Sequence, residues 1–254
     1  NMTGDGIFIC DYQGNDSEIV MINNCNILEN RRQGITVTSC DGVDIYDNEI
    51  HEIGGTWPQS GIDLEADDIN HMADNVKIYN NKFYNFEGRY AIICSKMVNN
   101  VEIFQNEING KIYIADIKGK CNIYRNIIKN GDIIAEPNSN KEIKLLIINE
   151  NDMKNSDINI KNVENILIGK NQISGKISIE SSDVAIYENE LIDENQTDFG
   201  IKVFSNDENI YSVYCYQNKF SDNYIDKIIV QQENIQYFNT KEELNRYLEN
   251  FMKE

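Results

Sequence analysis

One asparagine restricts this chain more than any other residue: it returns at positions 48, 81, 106, 126, 151, 171, 189 and 218. Each time it closes the same phrase, V-x-I-Y-x-N-x-I. The copies are VDIYDNEI (43–50), VKIYNNKF (76–83), VEIFQNEI (101–108), CNIYRNII (121–128), ILIGKNQI (166–173), VAIYENEL (184–191) and VYCYQNKF (213–220). LLIINENDM (145–153) is a looser copy, and MINNCNI (21–27) places Cys25 where the asparagine belongs. The intervals are 33, 25, 20, 25, 20, 18 and 29 residues, a minimal step near 18–20 lengthened by insertions. Ahead of each copy runs a second alternation, as in GIFIC (6–10), GITVT (34–38), GIDLE (61–65), AIICS (91–95), KIYIA (111–115) and GIKVF (200–204). Alternation of period two is a strand signal, so each unit reads as two strands with almost no helical pattern. One unit cannot bury its own apolar face; stacked units can, which is the logic of a solenoid.

The asparagine follows a strand, where the chain must turn, and this residue type tolerates unusual backbone angles. Stacked coil upon coil, each side-chain amide can bridge to the next. A buried amide without such a partner costs free energy, so Asn48, Asn81, Asn106, Asn126, Asn151, Asn171, Asn189 and Asn218 are read as a structural ladder. At one end, TKEELNRYLENFMKE (240–254) has Leu244, Tyr247, Leu248 and Phe251 at helical spacing, and Thr240 with Glu243 forms a capping box. The expected organisation is a solenoid of stacked strands over 1–238 and an amphipathic helix over 239–254 that caps its open end. The top carries no such cap. That suggests a missing N-terminal domain, or an oligomer partner docked there.

These asparagine-ladder coils resemble the right-handed parallel β-helix of the pectate-lyase-like superfamily over roughly residues 4–236. The resemblance implies an all-β fold: a single-stranded right-handed parallel β-helix, a solenoid of about ten coils. At about 4.8 Å per strand, ten coils make a rod of roughly 48 Å. NRRQGITVTSCDGVDIYDNEI (30–50) with GGTWPQSGIDLEAD (54–67) is similar to bacterial cell-surface and phage-tail-associated β-helix proteins. That likeness implies an extracellular, cell-surface or virion-associated protein that binds polysaccharide, with or without cleaving or modifying it.

The net charge is −19, from 42 acidic and 23 basic residues. This argues against a nucleic-acid partner, whose phosphates must be neutralised, and against an anionic membrane surface. No apolar run reaches the roughly 20 residues of a membrane span, and no signal peptide is recognisable. Six cysteines are too few for a disulfide scaffold. Cys94, Cys121 and Cys215 fall at inward positions and read as thiols, whereas a bridge among Cys10, Cys25 and Cys40 stays open.

The stretch TWPQSGIDLEADD (56–68) is the candidate site. It holds the only tryptophan and four carboxylates. Parity turns Ile62 and Leu64 inward and Asp63 and Glu65 outward. Two residues along a strand place their Cα atoms about 6.6 Å apart, from which their rotamers can set the carboxyl separation of roughly 6.5–9.5 Å that inverting glycosidases use. Three chemistries compete. A hydrolase would use Asp63 and Glu65 as its pair. A lyase or epimerase would need a base, His51 or His71, with Arg32, Arg89 or Lys96 neutralising a substrate carboxylate. No cofactor is required. Calcium is one alternative neutraliser, with Asp63, Glu65, Asp67 and Asp68 supplying oxygen ligands. Trp57 and Tyr113 offer flat faces to a sugar, and Gln33 and Gln59 offer neutral donors. The insertions at 51–60, 66–75 and 85–89 are expected to wall a groove beside the pair. The same stretch also has a bland reading, as solvated loops on an acidic chain. The outward column Tyr46, Tyr79, Phe104 and Tyr124 likewise reads either as cross-strand stacking or as a sugar track.

Overall fold

The computed structural model describes residues 2–10, 18–66, 72–137, 143–180, 182–192, 197–205, 211–231, 235–238 and 240–251. Its strands form three parallel sheets, two of ten strands and one of nine, and every sheet takes one strand from each successive coil. Sheet 1 runs from Ile7–Ile9 through Gln33–Val37, Ser60–Glu65 and Tyr90–Lys96 to Tyr224–Gln231, and sheet 2 from Glu18–Asn23 to Ile235–Phe238. Sheet 3 is assembled from pieces of two to five residues that follow the ladder position, such as Asn26–Leu28 after Cys25 and Glu49–Ile53 after Asn48. The fold is a right-handed parallel β-helix of ten coils. The repeat unit is three-stranded where the sequence pattern suggests two, because two to five residues are too short to register as an alternation of their own.

The core follows parity. Ile35, Val37, Ile62, Leu64, Ile92, Cys94, Ile112 and Ile114 from sheet 1 meet Val43, Ile45, Val76, Ile78, Val101 and Ile103 from sheet 2, all essentially without exposed surface. β-Branched residues suit this layer because their restricted rotamers pack well on a pleated surface. All six cysteines are free, and burial pushes the Cys94, Cys121 and Cys215 thiols above their ordinary range, as inward apolar positions require.

The ladder is continuous from Asn48 to Asn218. Asn106 Nδ2 donates to Asn126 Oδ1 at 3.0 Å, and its backbone N donates to the same oxygen at 3.0 Å; this pair of bonds repeats at every step. The second Nδ2 proton reaches back to the carbonyl of a core strand, Ile78 O at 2.9 Å for Asn106. The left-handed backbone that turns each coil lies one residue earlier than the asparagine: Asp47, Asn80, Gln105, Arg125, Glu150, Lys170, Glu188 and Gln217 have φ between 51° and 56°. The asparagine therefore contributes its amide, and its neighbour bears the strained conformation.

In the first coil Cys25 N donates to Asn48 Oδ1 at 3.0 Å, the ladder's backbone half without its side-chain half. Restoring that half with Cys25→Asn is expected to stabilise the protein by about 1 kcal/mol, one added hydrogen bond. A thermal melt would show it as a Tm raised by roughly 2–4 °C. An unchanged or lowered Tm would mean that the thiol's own packing outweighs the bond.

The outward aromatics Tyr46, Tyr79, Phe104 and Tyr124 stack at 4.9 Å with planes within 3–7° of parallel, in a column along sheet 2. The helix Lys241–Phe251 begins at the expected box: Thr240 Oγ1 donates to Glu243 Oε2 at 2.6 Å, and Glu243 N donates back to Thr240 Oγ1 at 3.3 Å. It caps the last coils from the flank. Leu244 and Tyr247 cover the outward side chains Leu167 and Ala185 of sheet 2, and Tyr247 stacks on Tyr214 at 4.4 Å.

Candidate functional site

Asp63 sits between Ile62 and Leu64, both fully in the core, so strand alternation turns its carboxyl to the outer face of sheet 1. There it is nevertheless only 3% exposed. Gln33, from the coil above, bonds to its Oδ2 through the side-chain amide, and Ser95, from the coil below, donates to Oδ1 at 3.4 Å. Thr36 stands directly above Asp63 in register, with Ile93 and then Tyr113 below it. Glu65 is half exposed, with Oε2 3.9 Å from Arg32, and Arg32 also holds Asp5 Oδ2 at 3.1 Å. The Asp63 carboxyl is pushed up to about 7, chiefly by burial and next by the Glu65 charge; Arg32 and Ser95 pull the other way, and Asp5 adds a small push.

Asp5 is the residue that sequence reasoning missed. Its side chain is 9% exposed, its Oδ2 takes Arg32 and Thr36, and its buried Oδ1 has no partner. A signal was available: Asp5-Gly6-Ile7, Gln33-Gly34-Ile35 and Ser60-Gly61-Ile62 share one register, so the residue before each Gly-Ile forms a column beside the Thr36–Asp63 column. Tyr90 continues it before Ala91-Ile92. A second feature was hidden from parity. Lys96, rather than Ser95, stands opposite Glu65, because the pairing slips between Cys94 and Lys96. That bulge releases Ser95 to turn toward Asp63; a bulge is a common way to re-aim a side chain.

From the loop that enters the Asp63 strand an aromatic line runs down the coils. Trp57 is 67% exposed and meets Tyr90 edge-on at 6.0 Å, and Tyr90 lies 5.9 Å from Tyr113. Glu87 fastens the Trp57 loop: its Oε2 accepts from Gly55 N at 2.8 Å and from Gln59 Nε2 at 3.0 Å. Gln59 is thus engaged within the loop. Arg89 lies lower, at the corner between sheets 3 and 1, in a cleft of about 340 Å³ with Asn85, Asn109 and Lys111. His51 is on sheet 3, stacked on Tyr84 at 4.6 Å with Nε2 against Asn26 Oδ1 at 2.9 Å, and so on a different sheet from Asp63. His71, Asp67 and Asp68 lie outside the described residues. Among the described residues, no group of three or more His, Cys, Asp or Glu side chains is placed to hold a metal. Asp63, Glu65, Gln33, Arg32 and Lys96 are thus brought onto one face of sheet 1. Tyr113 stands two coils below Asp63 in its column, and Trp57 precedes the Asp63 strand on the same coil, whereas His51 belongs to sheet 3.

No family model matches the chain. An uncharacterized protein of Bacillus subtilis (strain 168), YclG, is 35% identical over 98 residues, which covers 33% of this chain and 16% of YclG. The enzymatically active domain of the bacteriophage CBA120 tailspike protein 2 aligns with 93% of this chain and 42% of that one, at 13% identity and a TM-score of 0.32, a likeness too loose to bear on the site. The chain spans about a sixth of the length of YclG and less than half of the tailspike domain. Among the described residues no helix is long and apolar enough to cross a membrane.

Proposed function

We propose that the outer face of sheet 1 in the upper coils binds polysaccharide, and that Asp63 and Glu65 are the acid and base of a hydrolysis on it. The supporting observation is continuity. Trp57, on the loop that enters the Asp63 strand, meets Tyr90 on the next coil, and Tyr113 beyond it stands in the column of Asp63, a carboxyl group that burial holds near neutrality with a second carboxylate two residues away. Aromatic faces bind the apolar faces of sugars. A carboxyl group poised near pH 7 with an ionisable partner is what general acid catalysis of glycoside cleavage requires. His51 on another sheet weighs against a lyase or epimerase that uses it as base. A surface or extracellular location fits such a substrate. The second reading, a glycan-binding module without a reaction, is favoured by the near-complete shielding of Asp63.

Trp57, the only tryptophan, makes binding directly readable. Titration with bacterial and plant polysaccharides is expected to change its fluorescence, and Trp57→Ala to weaken binding, measured by calorimetry, about 10-fold, the worth of one aromatic stack. Asp63→Asn with Glu65→Gln should abolish the release of reducing ends while binding persists. Release of reducing ends that survives the double variant would remove the pair from the chemistry. Absorbance near 235 nm would mark elimination instead. Binding without either signal would support the module, and no binding across the panel would leave a structural rod.

A further inference from the structure

We propose that Gln33 is the positioning residue that keeps a proton on Asp63, by presenting its amide oxygen to Asp63 and its NH2 group to Thr36. The argument is a count of hydrogens. Thr36 Oγ1 lies 2.9 Å from Asp5 Oδ2 and 2.6 Å from the terminal amide atom of Gln33 on its other side. With Gln33 Oε1 facing Thr36 and Nε2 facing Asp63, one hydroxyl proton must serve two acceptors. Asp5 Oδ2 is the stronger claimant, being a carboxylate oxygen already held by Arg32 Nη1 at 3.1 Å. The Thr36 proton therefore goes to Asp5, and a Thr36 lone pair faces Gln33. The two ends of an amide are assigned from its partners rather than from its shape. Half a turn of the Gln33 amide brings NH2 to Thr36 and leaves its oxygen facing Asp63 Oδ2. Two acceptors then meet unless Asp63 carries the hydrogen and donates it.

In that arrangement every bond of the chain pairs one donor with one acceptor, and Asp5 Oδ1 alone stays without a partner. Arg32 and Thr36 donate to Asp5, Gln33 donates to Thr36, Asp63 donates to Gln33, and Ser95 donates to Asp63 Oδ1. Loss of the Asp63 proton reverses the chain: the NH2 group turns to the new carboxylate and the Thr36 hydroxyl turns to the Gln33 oxygen. The amide and the carboxyl thus change state together. The charged and titratable groups around Asp63 are Glu65 on its own strand, Asp5 and Arg32 above, and Cys94 and Lys96 on the strand below. Burial raises Asp63 in the same direction as the network does. For the reaction this means an acid loaded before substrate arrives, a consequence that rests on the hydrolase reading above; the coupling itself does not.

The test uses the full, ligand-free chain, so a failure of glycan binding cannot be confused with a failure here. The Gln33 side-chain NH2 is followed by 1H–15N NMR and the Asp63 carboxyl by 13C NMR from pH 5 to 9. The expected result is one shared transition near pH 7, in which a Gln33 NH2 proton moves downfield as it leaves a neutral hydroxyl for a carboxylate. In Asp63→Asn the Gln33 signals should be flat with pH. Three results overturn the proposal. They are Gln33 signals flat across the Asp63 transition, an Asp63 carboxyl already ionised at pH 5, and an unchanged Gln33 transition in Asp63→Asn, which would trace it to another group.

Discussion

Asp63→Asn is expected to make the protein more stable than its parent at pH 8, and the advantage should shrink as the pH falls. Asp63 binds its proton with a pKa of about 7 in the folded chain against 3.8 for an ordinary aspartate. Between those values the folded chain keeps a proton that the unfolded chain has released, so stability falls as pH rises across this window. The full difference corresponds to about 4 kcal/mol, of which about 3 kcal/mol accrues between pH 5 and pH 8. The stabilisation is thus present in acid and lost toward neutrality, the reverse of the usual salt-bridged carboxylate. Asparagine is neutral throughout and reproduces the shape of the protonated acid, so the variant escapes the loss. Urea unfolding of both proteins from pH 5 to 9 measures the gap directly, and other groups cancel in the comparison. Parallel stability curves would place Asp63 in the ordinary carboxylate range and remove the reason for regarding it as an acid. A reaction that needs the protonated form should also decline as pH passes 7.

An aspartate whose carboxyl is raised this far by burial, on the outer face of a solenoid, is the kind of perturbed group that clusters at functional sites. Its neighbours in the same column, Phe8 and Thr36 above and Ile93 and Tyr113 below, carry no charge, and the column's next charge is Lys202, six coils further on. The cost falls on one position in the coils where the longest insertions gather, which is the pattern expected when stability is given up for a site.

The repeat could be read because its physics is local. Ile35, Ile62, Ile92 and Ile112 each occupy the same place in a two-residue alternation, and Asn81 to Asn218 recur at a spacing fixed by the coil's circumference. The third sheet was harder to see, since Asn26–Leu28 and Gln172–Ile173 are too short to show a period. The site was legible only in part. Parity put Asp63 and Glu65 on the outer face, but parity says nothing about what covers that face. Asp5 lies 58 residues before Asp63 and reaches it through register across two coils. Ser95 depends on a bulge, and bulges leave no mark in an alternation one residue out of step. His51 and Asp63 are near in sequence and are parted by a corner of the coil. Sequence distance misleads in a solenoid, where neighbours are one circumference apart.

Asn126→Ala is expected to cost about 4 kcal/mol, whereas Asn218→Ala should cost about 1–2 kcal/mol. Asn126 is fully buried in the middle of the ladder. Its Oδ1 accepts from both Asn106 N and Asn106 Nδ2 at 3.0 Å, and its Nδ2 donates to Ile103 O at 2.9 Å and to Asn151 Oδ1 at 3.0 Å. Truncation strands Asn106 N and Ile103 O where water cannot replace the partner, and it opens a void besides. Asn218 receives the same two bonds from Asn189, at 3.1 and 2.9 Å, but it is half-buried, so solvent can take over part of its role. Against a total stability of about 5–15 kcal/mol, the central substitution removes a large fraction. Urea midpoints at pH 6 would measure both. The ladder runs along the corner between sheets 2 and 3, opposite the face that carries Asp63. Glycan affinity of whatever fraction stays folded should therefore be unchanged. Equal costs at the two positions would mean that each coil's asparagine acts alone, and that the coupling between coils resides in the strands.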